Sequence, residues 1–327
     1  MSGLGSRIAV VLLHRRSTSL IAWFIALGVL LYLGSVLWFG WEDVLSSLLN
    51  LGLDVLLIGG ILASSAYAWR FGRWEWALRC LNNSVPRFTH FFIYLSGLAL
   101  TSTPGKLGET FRSALLVHQG VRLNHSLAAF LADRGSDVIG MILLGGLASF
   151  AAQHKYTWVW LLVLSLVSAG SYVLARSISS SRYIYWANLV NSWKCIPVKE
   201  GQLMLQAWAT IWTLPRLIVF SSVAVAAYGT QALVFSWFCQ ILGTGISSAE
   251  CILIFVKATL FGAATLMPGG LGTMEAAIIF QLMDYGVNSP TALTLAISIR
   301  LVTLWLGMLL GVISLLSLQY PKTGAGE

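Results

Sequence analysis

The sequence predicts an all-α fold: a polytopic membrane helix bundle with two re-entrant half-helix hairpins in an inverted-topology repeat. Three observations carry this. The 327 residues are 57% hydrophobic and 10% charged, whereas soluble domains carry about 25% charged residues. Several apolar runs reach the ~20 residues that a helix needs to cross ~30 Å of hydrocarbon. Two more apolar segments are each broken in the middle by a Pro-Gly, at Pro104-Gly105 and Pro268-Gly269. A transmembrane barrel would show short alternating segments instead.

Uninterrupted runs place spans at about 20–39, 51–71, 123–152, 155–175, 213–241 and 289–318. The first run follows Arg7, Arg15 and Arg16 and is too long for a signal-peptide core, so it reads as a retained span. The broken segments cover about 88–118 and 247–285. Irregular backbone at membrane depth survives only where protein or a wet cavity surrounds it, so each is drawn as a hairpin returning to the side it left. Charge agrees with this drawing. With both termini cytoplasmic, the outer stretches hold Lys155 as their only cation, while Arg70, Arg73, Arg79, Arg87, Arg122, Arg176 and others fall inside. That is the positive-inside pattern; the expected location is a bacterial cytoplasmic (inner) membrane. The net charge of +8 therefore reports orientation, not nucleic-acid binding.

Trp69 and Trp74, and Trp158 and Trp160, fall near span ends and read as an aromatic belt. The polar stretch 176–212 reads as a helix lying in the cytoplasmic interface. Cys80, Cys195, Cys239 and Cys251 form no CxxC, and the histidines are isolated. No disulfide framework, metal cluster or cofactor is expected.

The chain reads as one membrane domain over 1–327, with repeat halves at about 20–152 and 155–318. Pro104-Gly105-Lys106-Leu107-Gly108-Glu109 and Pro268-Gly269-Gly270-Leu271-Gly272 share PGxLG, with Glu109 and Glu275 close behind; the offset is 268 − 104 = 164. Arg134 and Arg300 lie further along at an offset of 300 − 134 = 166. Three crossings per half is an odd number, so the second half enters inverted. In secondary transporters such repeats put the substrate site near the midplane, between broken helices.

Charges at membrane depth cost ~2.5–3.5 kcal/mol each on insertion scales. Lys106, Glu109, Arg112, Asp133, Arg134, Asp137, Lys257, Glu275 and Arg300 must therefore pair, face water or bind a charged ligand. Glu109 and Arg112 can pair at i,i+3. Asp133 and Asp137 share a helix face at i,i+4 and require a cation, which Arg300, Lys106 or Arg112 could supply. Structural ion pairs that merely lock the bundle are the plainer alternative. A helix start freed at Pro104-Gly105 carries partial positive charge and suits an anion, with Lys106 at that start. An anion entering from a membrane suggests a lipid phosphate. No nucleophile–base constellation is present at either break, so an enzyme is not expected.

The blocks "TPGKLGETFRSALL", "ADRGSDVIGMILL", "MPGGLGTMEAAIIFQL" and "ISIRLVTLWLGMLLG" resemble the flippase-like membrane domain of lysyl-phosphatidylglycerol synthases, the multiple peptide resistance factors. Over about 20–318, the resemblance implies functional roles for Pro104, Gly105, Gly108, Glu109 and Arg112, for Asp133, Arg134 and Asp137, and for Pro268, Gly269, Gly270, Gly272, Glu275 and Arg300. Aminoacyl-transferring members carry a soluble catalytic domain that this sequence lacks. The expectation is a stand-alone member that translocates an anionic phospholipid or a polyprenyl-phosphate lipid. A lipid- or glycan-synthesising membrane enzyme and a second copy of the chain are further candidate partners. The rival readings are a membrane transferase using Glu109, Asp133 or Asp137 as base, and an accessory subunit of a synthase.

Overall fold

Apolar runs without interior breakers become helices, and helices joined by short turns account for the described residues. The computed structural model describes residues 41–101, 111–179, 198–265 and 267–318. Helix α1 is Trp41–Leu51 and α2 is Leu53–Arg79. The first broken segment gives α3 (Arg87–Ser96), a 3₁₀ turn at Gly97–Leu100 and α4 (Phe111–His118). Then come α5 (Leu123–Ala151), α6 (Thr157–Ile178), α7 (Val198–Ile211) and α8 (Leu214–Ile241). The second broken segment gives α9 (Ser248–Ala264), a 3₁₀ turn at Pro268–Gly270 and α10 (Thr273–Asp284). Helix α11 (Ser289–Arg300) runs through a π-helical turn, Leu301–Trp305, into α12 (Leu306–Leu318).

Among the described residues, four helical stretches are long and apolar enough to cross a membrane: Leu53–Arg79, Thr157–Ile178, Leu214–Ile241 and Ser289–Leu318. Helix α5 has 29 residues, about 44 Å at 1.5 Å per residue. It spans the same length but carries Asp133, Arg134 and Asp137. By contrast α3 and α10, with 10 and 12 residues, fall short of the ~20 that a crossing requires. The chain is a polytopic α-helical membrane protein. The run 20–39 lies outside the described residues.

Small residues set the packing. Helix α5 is the hub, touching α2, α4, α6, α7, α8 and α9. Gly140 lets it close on α8, because a Cβ there would overlap Ala224 and the Ser221 backbone. Gly145 makes room for the Trp160 ring of α6. Gly311 brings α12 against the 3₁₀ turn at Gly97–Leu100. A π turn leaves a carbonyl without its usual helical partner; here the Tyr67 hydroxyl of α2 donates to the Thr303 carbonyl at 2.6 Å.

Two expectations are corrected. Helix α2 continues two turns past 71, so Arg73 is 2% exposed in the core rather than in a cytoplasmic stretch, and Arg70 is half-buried beside it. Trp74 is buried, not a belt residue, while Trp69 and Trp158 stay exposed. Of the stretch 176–212, residues 180–197 lie outside the described part. Its remainder is dominated by α7, which packs on α5 and α6 with Trp208 and Ile211 buried. That helix packs on the bundle through one side and leaves Leu203, Gln206 and Thr210 exposed on the other.

Candidate functional site

Two aspartates one turn apart on α5 would repel without a cation, and α2 supplies it. Arg73 donates from Nε to Asp133 Oδ1 at 2.9 Å and from Nη2 to Asp137 Oδ1 at 2.6 Å. Its planar fork suits two carboxylates at once, which an ammonium could not match. Arg134 joins from α5 itself, at 2.9 Å to Asp133 and 3.3 Å to Asp137. Arg112 of α4 comes within 3.6 Å of Asp133. Its guanidinium also lies 3.8 Å from the centre of the Trp74 ring and 5.0 Å from that of Tyr94, where cation–π attraction offsets part of its burial. Trp74 is fixed in turn by its Nε1–H, which donates to His90 Nε2 at 3.1 Å. From α8, the Tyr228 hydroxyl donates to Asp137 Oδ2 at 3.2 Å, and the Arg70 guanidinium stacks 4.3 Å from the Tyr228 ring centre.

The second break has a separate charge pair. Arg300, at the end of α11, donates from Nε to Glu275 Oε1 at 2.7 Å and from Nη2 to the Gly269 carbonyl at 2.6 Å. Its Nη1 also meets Met274 Sδ at 3.4 Å. The turn that aims the Gly269 carbonyl at Arg300 needs left-handed backbone at Gly269, Gly270 and Gly272, with φ of 60°, 66° and 78°, a region that side chains rarely adopt. Arg300 is thus not the cation between Asp133 and Asp137; that role belongs to Arg73, with Arg134 and Arg112. The break also presents a carbonyl to a cation, which freed N–H groups alone would not lead one to expect.

Between these two charge centres lies a cavity of two adjoining lobes. The outer lobe, ≈ 200 Å³, is bordered by Arg134, Asp137, Met141 and the Gly269–Gly270 turn. The inner lobe, ≈ 90 Å³, is bordered by Tyr67, Arg70, Thr101 and Gln231. Tyr228, Thr259, Gly269, Met274 and Arg300 border both.

Of the residues read from sequence, Asp137, Arg134, Arg300, Gly269 and Gly270 come together at this cavity. Asp133 and Arg112 stand behind it in the ion network, and Glu275 is held by Arg300. Pro268 is in the 3₁₀ turn and Gly272 precedes α10. Pro104, Gly105, Lys106, Gly108 and Glu109 lie outside the described residues. Sequence reasoning missed Arg70, Arg73, Tyr228 and Gln231. A signal existed for the last: Gln231 is an amide well inside a 28-residue apolar helix, whose other amide, Gln240, sits at its C-terminal end.

Among relatives, a "UPF0104 membrane protein" of the archaeon Methanothermobacter thermautotrophicus is 23% identical over 323 residues, covering 89% of this chain and 91% of that protein. Another protein of the same description and organism is 23% identical over 267 residues, covering 73% and 78%. The family model of the lysylphosphatidylglycerol synthase TM region matches residues 23–311. Aspartates on the hub helix paired with arginine, a broken helix held by a second arginine and a cavity between them are thus this chain's form of a shared membrane domain: it belongs to the lysylphosphatidylglycerol synthase TM region family.

Proposed function

We propose that this protein binds the head group of an anionic lipid, either a phospholipid or a polyprenyl-phosphate lipid, in the central cavity and carries it between leaflets. One observation carries the reading: three helices, α2, α5 and α11, bring Arg70, Arg134 and Arg300 to the same cavity. Guanidiniums at membrane depth are costly, and convergence on a cavity is what an anionic cargo would require.

Alternation between leaflets would come from the inverted repeat, with the two broken segments entering from opposite faces. Reciprocal packing supports this: α5 of one half packs on α9 of the other, and α12 of the second half packs on α3 of the first. The membrane in this reading is the cytoplasmic one, bacterial or archaeal, with both termini inside. A transferase using Asp133 or Asp137 as base is disfavoured, because guanidiniums occupy both carboxylates.

The test is reconstitution of the purified chain into liposomes carrying a fluorescent anionic phospholipid in one leaflet. Translocation above protein-free vesicles, lost in Arg134→Gln, supports the reading. Absence of translocation by the folded wild-type chain overturns it.

A further inference from the structure

The two lobes differ in chemistry. Arg70 has no carboxylate within ion-pair distance and no hydrogen-bond acceptor among the described residues; its contact is the Tyr228 ring. Gln231 is 5% exposed, borders the inner lobe and makes no hydrogen bond to a described residue. Thr101 Oγ1, on the same wall, is buried and has no partner among the described residues. A guanidinium, an amide and a hydroxyl thus border one small space with their donors unused. Buried polar groups are ordinarily satisfied, and a phosphoryl group, rich in acceptors, would satisfy these.

The outer lobe is different. Val138, Met141, Ala263 and Met267 give it an apolar wall. Val138 on α5 and Met267 just after α9 keep 39% and 44% of their surface exposed. An accessible apolar wall suits hydrocarbon.

We propose that the inner lobe is the seat of the phosphoryl group, with Arg70 and Gln231 as its donors. The outer lobe is then a lateral portal between α5 and α9 through which the tails remain in the membrane. This rests on the lipid-binding reading above and assigns its parts. The seat alone would also suit a free phosphate ester, so the experiment separates the two sources.

The purified full-length chain in detergent is titrated by calorimetry with dioctanoyl phosphatidylglycerol and, separately, with glycerol 3-phosphate. The wild type should bind the lipid at least tenfold more tightly than glycerol 3-phosphate. Arg70→Gln and Gln231→Glu should each weaken lipid binding about tenfold or more, with Arg70→Lys closer to wild type. Gln231→Glu is nearly isosteric, so it carries the test if Arg70→Gln misfolds. Val138→Trp should weaken lipid binding and leave glycerol 3-phosphate unchanged. If Arg134→Gln abolishes lipid binding while Arg70→Gln and Gln231→Glu match wild type, the cavity reading stands and this seat is overturned. If glycerol 3-phosphate binds as tightly as the lipid, or Val138→Trp has no effect, the portal is overturned. If the wild-type chain binds neither probe, the lipid-binding reading itself fails.

Discussion

The Arg300 guanidinium at the end of α11 donates to Glu275 in the first turn of α10 at 2.7 Å, beside the turn that separates α9 from α10. The aspartates of α5 take their cations from elsewhere, Arg73 first among them. Among the described residues, the ion pairs therefore fall into two charge centres that border one cavity. This division determines how mutations should couple.

Breaking a buried ion pair by removing one partner typically costs ~3–5 kcal/mol, because the other charge is stranded. Arg300→Ala should therefore lower the melting temperature sharply. Adding Glu275→Gln should recover part of the loss, whereas adding Asp137→Asn should recover none. Melting temperatures of the three variants check this. Recovery by Asp137→Asn instead would mean that the two centres are coupled.

Arg73→Met should be the more damaging change, since it leaves Asp133 and Asp137 on one helix face without their main cation. Arg134→Met should cost less, because that side chain is 24% exposed and its loss leaves Arg73 in place. Adding Asp133→Asn to Arg73→Met should restore part of the stability. A double-mutant cycle on melting curves measures the coupling, and strict additivity would exclude the pairing.

The difference between sequence and structure at Arg73 has a physical cause. Hydropathy ends a span where charges begin, so the apolar run of α2 stops near 71 in sequence. The helix continues because Arg73 and Trp74 find partners inside: two carboxylates for the one, and a stacked Arg112 and His90 for the other. Only tertiary contacts carry that information. The spans themselves were legible, since apolar length needs no partner: 123–152, 155–175, 213–241 and 289–318 each end within three residues of the helices seen. The aspartates were legible as a pair because i,i+4 spacing fixes a face, but their cation was not, since it comes from a helix 60 positions away.

Gly311, at the seam between α12 and the 3₁₀ turn, and Gly229, in α8, give predictions of opposite sign. A Cβ on Gly311 would meet backbone atoms, including Leu98 C at 2.8 Å. Backbone cannot move aside as a side-chain tip can, and overpacking costs roughly 1–3 kcal/mol or more. Gly229 in α8 has nothing within 4 Å of the same position, so alanine there should gain up to about 1 kcal/mol of helix propensity. Gly311→Ala should lower the melting temperature and Gly229→Ala should hold or raise it. Equal behaviour of the two would mean that α12 does not close on the turn in the folded protein.

The register of the two intramembrane arginines leads to a test of topology. Arg134 comes after the start of α5 at Leu123 by 134 − 123 = 11 residues, and Arg300 after the start of α11 at Ser289 by 300 − 289 = 11. At 1.5 Å per residue each lies about 17 Å from its helix start, close to the middle of a ~30 Å hydrocarbon layer. If both helices started on the same side, the arginines would share a depth, but α5 and α11 would run parallel and the repeat would not be inverted. If they start on opposite sides, the arginines meet at the midplane from opposite directions, as a site with alternating access requires. Cysteines at Ser84, in the exposed loop before α3, and at Asp284, exposed at the end of α10, report the two sides. In a background lacking Cys80 and Cys195, a membrane-impermeant maleimide should label position 284 in intact cells and position 84 only after lysis. Labelling of both positions from the same side would exclude the inverted repeat, and with it the alternating-access part of the proposed function.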